Sequence, residues 1–170
     1  MVDKSYNITE LLDTLEQQIR VWMQTSGVQQ PLLVGIHTAG VWLAAALQQR
    51  LQIREAIGEL SITFYRDDFG RVGLHPQSKP SLLPDVNERH VLLIDDVVYT
   101  GRSLRGAMNE LFDYGRPASI TVAVLVAREG RELPIEPQIV ALREEPGANL
   151  LYDVSGPHPL TLTLRERNTA

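Results

Sequence analysis

Two neighbouring carboxylates and a short loop that carries hydroxyls are the residues of this sequence that most plainly suggest chemistry. Asp95 and Asp96 follow the apolar residues 91–94, and Thr100-Gly101-Arg102-Ser103 opens a predicted helix just beyond them. Carboxylates accept hydrogen bonds from vicinal hydroxyls and attract Mg²⁺ or its bound waters, but they repel phosphate. Backbone N–H groups at a helix start bind phosphate, and Gly101 allows close backbone approach. Acids one loop away from a phosphate site therefore indicate a sugar phosphate.

The competing explanation for an aspartate at this place is that it caps a helix or forms a salt bridge, which is common. Two adjacent acids after a buried strand, followed by a glycine loop, favour a ligand site instead. Other nucleotide-binding folds have no support, because the sequence contains neither G-x-x-x-x-G-K-[ST] nor a G-x-G-x-x-G after a strand. A receiver domain is disfavoured as well, since it would need acids near the first strand.

The elements that must position these residues alternate between short, continuous apolar strands and amphipathic helices. This alternation is typical of an α/β fold, in which a mostly parallel sheet is covered on both faces. The ligand site of such a sheet lies outside the carboxyl ends of the strands, where Asp95 and Asp96 stand. The pattern predicts helices at residues 9–25, 41–51 and 103–115, and strands at 31–36, 60–65, 90–97, 120–126 and 138–142. The residues of the third helix expected to face the sheet are Leu104, Ala107, Met108, Leu111 and Phe112.

Two segments fall outside the alternation. Residues 67–89 are polar, contain several Gly and Pro residues and show no periodicity, so we expect a long flexible loop there. Near the end of the chain, EEPGAN predicts a turn and LTLTLRE alternates with period two, which predicts a small, partly exposed strand pair. We expect residues 1–170 to form one domain, since their length and 44% hydrophobic content suit a single core.

Composition excludes several kinds of site. The chain has no cysteine, which excludes disulfides, thiolate catalysis and cysteine-ligated metals. No apolar stretch approaches about eighteen residues, and the amino terminus is polar, so we expect a cytoplasmic protein without membrane contact. The net charge of −5 gives no overall basic field. A nucleic acid would therefore have to bind at a local basic patch.

The stretch VLLIDDVVYTGRS, residues 91–103, resembles the phosphoribosyl pyrophosphate (PRPP) motif of type I phosphoribosyltransferases. The segments GIHTAG, SITFYRDD, NELFDYGRPASITVAVLV and RELPI extend the resemblance over about residues 9–140 to the family of bifunctional pyrimidine operon regulators and uracil phosphoribosyltransferases. The resemblance implies the type I phosphoribosyltransferase fold. That fold has a central, mostly parallel sheet flanked by helices, a long flexible loop and a small C-terminal strand region, the hood.

The resemblance also implies roles for individual residues. Asp95 and Asp96 would bind the ribose 2′- and 3′-hydroxyls, take part in catalysis, and hold Mg²⁺ indirectly, through water or PRPP. The residues implied to bind PRPP or UMP are Asp95, Asp96, Val97, Val98, Tyr99, Thr100, Gly101, Arg102 and Ser103, the last five at the 5′-phosphate. The implied pyrophosphate loop is His37, Thr38, Ala39 and Gly40, and the implied nucleobase pocket is Val126, Ala127 and Arg128. Arg66 is a further catalytic candidate that would contact pyrophosphate, and Lys79 is either a second such contact or a surface cation.

The implied reaction is attack by N1 of uracil on C1 of PRPP, with Mg²⁺ as cofactor, giving UMP and pyrophosphate. Tyr99 occupies the place where some purine enzymes of this fold carry an acid, which favours a pyrimidine. Ala39 stands where the pyrophosphate loop of the family usually has an arginine, and Ala127 and Glu129 replace the acid and the glycine of an Asp-Arg-Gly run. These departures could lower or abolish catalysis. The alternative is then a weak or inactive PRPP- or UMP-binding regulator that acts through RNA or a protein partner.

Regulation in this family implies UMP-dependent binding to the leader of pyrimidine operon mRNA through a basic surface. The residues that could form such a patch here are Arg66, Arg71, Arg89, Arg116, Arg128 and Arg131. The resemblance further implies a homo-oligomer, a dimer or a larger assembly.

Overall fold

The computed structural model describes residues 4–62 and 80–167, and the predicted alternation of strands and helices is confirmed within these residues. The elements are β1 (Lys4–Tyr6), α1 (Ile8–Ser26), β2 (Leu32–Ile36), α2 (Ala39–Leu51), β3 (Gly58–Leu60), β4 (His90–Val98), α3 (Arg102–Tyr114), β5 (Ser119–Ala127), β6 (Ile139–Arg143), β7 (Leu150–Ser155) and β8 (Thr161–Glu166). The bounds of the strand predicted at 60–65 are wrong, because β3 ends at Leu60 and residues 61 and 62 are in no strand; residues 63–65 lie outside the described residues.

Five parallel strands form the main sheet, in the order β3-β2-β4-β5-β6. Successive side chains of β4 point to opposite faces: Leu92 and Ile94 pack with α1 and α2, whereas Val91 and Leu93 pack with α3. Both faces are therefore buried, which explains why the strands are continuously apolar. The central position of β4 carries its last residues to the middle of the carboxyl edge of the sheet.

Helix α3 packs through Leu104, Ala107 and Leu111, which are all buried. The prediction that Phe112 faces the sheet is wrong, since this side chain is 58% exposed. One residue turns an α-helix by about 100°, so Phe112 points away once Leu111 points inward. Gly101 precedes the helix with φ of 91°, a backbone conformation that favours glycine, and thus allows α3 to begin directly behind the loop.

A second, antiparallel sheet of order β1-β8-β7 forms the hood. The predicted strand pair near the carboxyl terminus is confirmed as β7 and β8. Sequence reasoning did not find the third strand, β1, which pairs with β8 from Lys4 to Tyr6.

Glu144 joins the hood to the main sheet. It follows β6, and its backbone N–H donates to the carbonyl of Ala127 at 3.2 Å. Its carboxylate accepts hydrogen bonds from the Tyr6 hydroxyl, from the Tyr152 hydroxyl at 2.7 Å and from Lys4 Nζ at 2.9 Å. These donors, with the Tyr6 hydroxyl first, lower the pKa of Glu144 to about 2.

Residues 67–79 of the predicted flexible loop lie outside the described part of the chain. Residues 80–89 contain no helix and only an isolated antiparallel bridge between Leu82 and Glu59 of β3. No helix among residues 4–62 and 80–167 is long and apolar enough to cross a membrane.

We predict that Glu144→Gln lowers the free energy of unfolding by about 1–2 kcal/mol at pH 7, a value reduced for the partial exposure of the side chain. A carboxylate whose pKa falls on folding stabilises the fold above its unfolded pKa, and this contribution disappears as the pH falls toward the folded pKa. The difference from the unsubstituted chain should therefore shrink between about pH 5 and pH 2, as measured by urea unfolding.

Asp153→Asn is a matched control in the same hood, because the carboxylate of Asp153 pairs with Arg165 at 3.4 Å and is 44% exposed. That variant should stay within about 0.5 kcal/mol of the unsubstituted chain. A difference for Glu144→Gln that is constant from pH 7 to pH 2 would contradict the assignment of Glu144.

Candidate functional site

The end of β4 and the start of α3 enclose a cavity of about 140 Å³. Its walls are Asp95, Val97, Val98, Tyr99, Thr100, Gly101, Ser103 and Leu104. Seven of these residues belong to the predicted PRPP-binding stretch, so the structure brings most of that stretch around one space. The other two residues of the stretch, Asp96 and Arg102, are absent from the wall; the Nε of Arg102 donates to Glu132 at 2.8 Å.

The two aspartates differ in exposure. Asp95 is buried, with 7% of its surface exposed, whereas Asp96 is half-buried. One carboxylate oxygen of each accepts the backbone N–H of the following residue, at 2.9 Å from Asp96 N to Asp95 and at 2.8 Å from Val97 N to Asp96. The carboxylates are thus held against the backbone within β4, beyond its pairing with β2 at Ile94 and before its last residue, Val98.

The turn from His37 to Gly40 lies directly beside Asp95. A Cβ at Gly40 would stand 2.6 Å from the carbonyl oxygen of Ile94 and 3.3 Å from the Cα of Asp95, so the two backbones are in contact. On the other side, a Cβ at Gly35 would stand 2.5 Å from the carbonyl oxygen of Gly40. Glycine at both positions therefore allows the turn to contact the backbones of β2 and β4 directly.

His37 and Ala39 have different surroundings within this turn. The N–H of His37 donates to the carbonyl of Leu60 at 2.9 Å, and its Nε2 lies 2.9 Å from the carboxylate of Glu59. The His37–Thr38 peptide bond is cis. Ala39 is the first residue of α2 and is 9% exposed, so the N-terminal end of α2 is directed at the same carboxyl edge of the sheet.

The end of β5 forms a second cavity, of about 360 Å³, next to the first. Ala127 lines it and pairs with Val98 of β4, which lines the smaller cavity. Val126 is fully buried and packs in the core. The remaining walls are Arg128, Glu129, Gly130, Arg131, Glu136, Arg143, Glu144 and Glu145.

Arg128 is buried and holds the loop between β6 and β7. Its Nη2 donates to Glu145 at 2.7 Å and to the carbonyl of Gly147 at 3.0 Å, and its Nη1 donates to the carbonyl of Leu150 at 3.0 Å. The hydrogen bond from Arg128 lowers the pKa of Glu145. The guanidinium carbon also lies 4.5 Å from the centre of the Tyr99 ring, in a cation–π contact. Arg128 therefore connects the hood to the loop at the smaller cavity.

The chemistry of the donor set fits a divalent cation that a substrate brings with it. Within residues 4–62 and 80–167, no group of three or more His, Asp or Glu side chains is arranged to hold a metal. Mg²⁺ is commonly bound through one or two carboxylates, with substrate phosphates and water completing its shell. Asp95 and Asp96 offer carboxylates of that kind at this edge of the sheet.

Two of the predicted functional residues cannot be compared with this geometry. Arg66 and Lys79 lie outside the described residues, so their predicted contacts with pyrophosphate stay predictions. Conversely, the sequence indicated Arg131 only as a candidate for the basic patch and gave no role to Glu132 and Leu133. In the structure, donors of these three residues contact the backbone of Tyr99 and Thr100. The only signal of this segment in the sequence was the RELPI run.

Comparisons with known proteins agree with this arrangement. The family model described as "Phosphoribosyl transferase domain" matches residues 4–151. A relative from Nitrosococcus oceani named "Bifunctional protein PyrR" is 45% identical over 95% of this chain and 93% of its own length. A protein of the same name from Pseudomonas paraeruginosa is 46% identical over 92% of each chain.

The fold has a counterpart among solved structures. The crystal structure of a purine phosphoribosyltransferase from Pyrococcus horikoshii matches with a TM-score of 0.60 at 19% identity, over 79% of this chain and 83% of that one. The predicted type I phosphoribosyltransferase fold is thereby confirmed, as is the predicted family. The chain belongs to the phosphoribosyltransferase family and, within it, to the bifunctional PyrR proteins.

Proposed function

We propose that this chain transfers phosphoribose from PRPP to uracil, giving UMP and pyrophosphate, and that it controls pyrimidine genes in response to these ligands. The observation that carries the proposal is the contact of the His37–Gly40 turn with Ile94 and Asp95 of β4, beside the cavity walled by Thr100, Gly101 and Ser103. The carboxylates proposed to accept the ribose hydroxyls, the loop proposed to bind the phosphate and the His37–Gly40 turn thus meet at the carboxyl edge of the main sheet. The relatives named bifunctional PyrR support the regulatory half of the proposal.

In the proposed complex each part of PRPP has its own place. The 5′-phosphate lies against residues 99–103, where the N-terminal end of α3 favours an anion. The ribose 2′- and 3′-hydroxyls donate to Asp95 and Asp96, and the pyrophosphate faces the amides of residues 37–40. Mg²⁺ supplies charge neutralisation at the pyrophosphate when it is bound.

The reaction forms a bond from N1 of uracil to C1 of the ribose and breaks the bond from C1 to the pyrophosphate oxygen. The N1 proton is released, and water or the departing pyrophosphate takes it up. The residues of this chain contribute mainly by orienting the two reactants and by stabilising charge. The nucleobase would lie at Val126, Ala127 and Arg128. Because the Arg128 guanidinium already binds Glu145, Gly147 and Leu150, we propose that Arg128 shapes the wall of this pocket.

Ala39 and Ala127 bear on how fast the reaction runs. Both side chains are small and nearly buried, at 9% and 4% exposure. Neither can supply the charge that the family usually has there, so we propose a transferase whose turnover is reduced. Binding of UMP without any turnover would instead indicate the regulator without catalysis.

RNA is the proposed partner for regulation, with a limited set of contacts. Three arginines of the predicted patch are paired with carboxylates: Arg89 with Glu55, Arg128 with Glu145 and Arg131 with Glu136. Arg116 is exposed, and Arg66 and Arg71 lie outside the described residues. We therefore propose that pyrimidine leader RNA is held through few phosphate contacts. We also propose that residues 1–170 act as one domain within a homo-oligomer.

We predict that the chain makes UMP from PRPP and uracil, and that Asp96→Asn lowers kcat/KM for PRPP by about 10- to 100-fold. The reason is that the ribose hydroxyls lose a charged acceptor while the shape of the side chain is kept. Product formation from radiolabelled uracil measures the reaction, and calorimetry measures UMP binding in parallel. Asp113→Asn, an exposed carboxylate on α3, is the control and should leave kcat/KM unchanged.

Failure of the unsubstituted chain to bind either PRPP or UMP would reject the site. Equal kcat/KM for Asp96→Asn and the unsubstituted chain would reject the role of Asp96.

We predict that removal of divalent metal with EDTA stops UMP formation, whereas the affinity for UMP changes by less than about twofold. The two effects differ because Mg²⁺ neutralises the pyrophosphate group of PRPP, and UMP has no such group. Adding back MgCl₂ should restore the initial rate in the assay. A rate that is the same in EDTA as in MgCl₂ would show that the site works without the cation.

We predict a UMP-dependent gel shift of pyrimidine leader RNA that weakens as salt rises. The slope of log K against log salt should be shallow, at about −0.7 for each phosphate contact to single-stranded RNA. Arg116→Met should make the slope shallower, whereas Arg165→Met in the hood should not change it. Absence of a shift at any salt concentration would indicate regulation through a protein partner.

A further inference from the structure

Residues 131–133 lie along the outer side of the loop at the smaller cavity and donate three hydrogen bonds to its backbone. Arg131 Nη1 donates to the carbonyl of Tyr99. The backbone N–H groups of Glu132 and Leu133 both donate to the carbonyl of Thr100, at 2.9 and 3.2 Å. Two successive carbonyls of the loop are thus held from one side.

Peptide geometry converts this contact into an orientation of the loop amides. In a planar trans peptide, the C=O and the N–H of the same unit point in opposite directions. Drawing the carbonyl of Tyr99 toward Arg131 therefore turns the N–H of Thr100 away from Arg131, and fixing the carbonyl of Thr100 does the same for the N–H of Gly101. Both residues wall the cavity where the 5′-phosphate is proposed to bind.

Arg131 is itself held in place, which makes it a rigid support. Its Nε donates to Glu136 at 2.8 Å and its Nη2 to the same carboxylate at 3.2 Å, while Nη1 also donates to the carbonyl of Arg128 at 3.0 Å. The side chain of Arg131 is only 16% exposed. A guanidinium engaged on both edges of its planar fork has little freedom left.

The ring of Tyr99 is held by the same segment. Arg128 lies over the ring, and Gly130 lies so close to its edge that a Cβ there would stand 2.4 Å from Cε2 of Tyr99. Residues 128–133 therefore fix both the side chain and the carbonyl of Tyr99, at the first residue of the loop.

We propose that Arg131 is a positioning residue for the 5′-phosphate site. It acts through the Tyr99 carbonyl, without touching the substrate, and keeps the amides of Thr100 and Gly101 turned toward the phosphate. This role rests on the proposed function, since it concerns the same loop. This role argues against a contact between Arg131 and RNA, because the guanidinium donors of Arg131 already bind acceptors within the chain.

The test is Arg131→Met, which keeps most of the apolar stem and removes the donors. The phosphate contact is made equally before and during bond formation, so its loss should raise KM for PRPP with little effect on kcat. We expect about a tenfold rise in KM for PRPP and a tenfold weaker UMP affinity, the scale of one lost charged hydrogen bond. Both kcat and KM for uracil should stay within about twofold of the unsubstituted chain.

Two conservative variants distinguish a role of Arg131 in orienting the loop from a role in stabilising the fold. Arg131→Lys keeps a cationic donor near the Tyr99 carbonyl and should restore part of the PRPP affinity, with a KM increase of about threefold. Glu136→Gln keeps Nη1 in place and should also change KM for PRPP by no more than about threefold. Arg165→Met, which removes an exposed arginine of the hood, is the matched control and should leave all constants unchanged.

The outcomes are distinguishable from failure of the proposed function. If the unsubstituted chain neither binds UMP nor makes it, the proposed function and this role fall together. If it does, unchanged PRPP and UMP affinities in a folded Arg131→Met overturn the positioning role alone, as does an equal loss in kcat and in both KM values. Should Arg131→Met not fold, Arg131→Lys decides the question, and an unchanged KM for PRPP in that variant overturns the role.

Discussion

The contact between the start of α2 and the end of β4 is the constraint on which the candidate site depends. Gly40 contacts the backbones of both β2 and β4, and a Cβ at that position would approach the Ile94 carbonyl to 2.6 Å. No side chain separates the turn at His37–Gly40 from Asp95. The spacing of two proposed subsites is therefore set by direct backbone contact. Such a spacing cannot adjust to the ligand, and this suits a reaction that relies on orientation.

Apolar packing and the polar contacts between distant segments make different contributions to this structure. The two buried clusters on the faces of the main sheet account for the order of strands and helices. The carboxyl edge is organised instead by charged groups that connect segments distant in sequence. Glu144 joins β6 to the hood, Arg128 joins the end of β5 to the β6–β7 loop, and Arg131 supports the loop after β4. Removing one partner of the ion pair between the buried Arg128 and Glu145 should lower the free energy of unfolding, since it leaves an unpaired charge inside the protein.

The same contacts place several basic residues of this acidic chain in ion pairs within the structure. Most arginines near the carboxyl edge are used to hold its loops, with Glu132, Glu136 and Glu145 as their partners. Exposed arginines lie elsewhere among the described residues, at Arg54, Arg105, Arg116 and Arg167. A compact ligand at the strand ends, by contrast, meets amides and carboxylates that are already in place.

Local patterns in the sequence were sufficient to predict the main sheet, because a strand buried on both faces is apolar throughout and each helix shows its stripe. They could not place Phe112, since two adjacent apolar residues on a helix do not show which one faces the core. Strand β1 was missed because three residues carry no periodicity, and its pairing with β8 joins opposite ends of the chain.

For the site, the acid pair and the glycine loop could be predicted from residue types alone. The hydrogen bonds from residues 131–133 to this loop could not be predicted, since their acceptors are backbone carbonyls, which every residue type has. The pairing of Arg128 with Glu145 is likewise a long-range contact without a local signature.

A crystal structure of the chain with UMP tests the central claim most directly, because one experiment locates the phosphate and the ribose together. We expect the 5′-phosphate oxygens within about 3 Å of the N–H groups of residues 100–103, and the ribose hydroxyls within the same distance of Asp95 or Asp96. A phosphate bound in the larger cavity at Arg128 and Arg143, or a ribose turned away from both aspartates, would contradict the account.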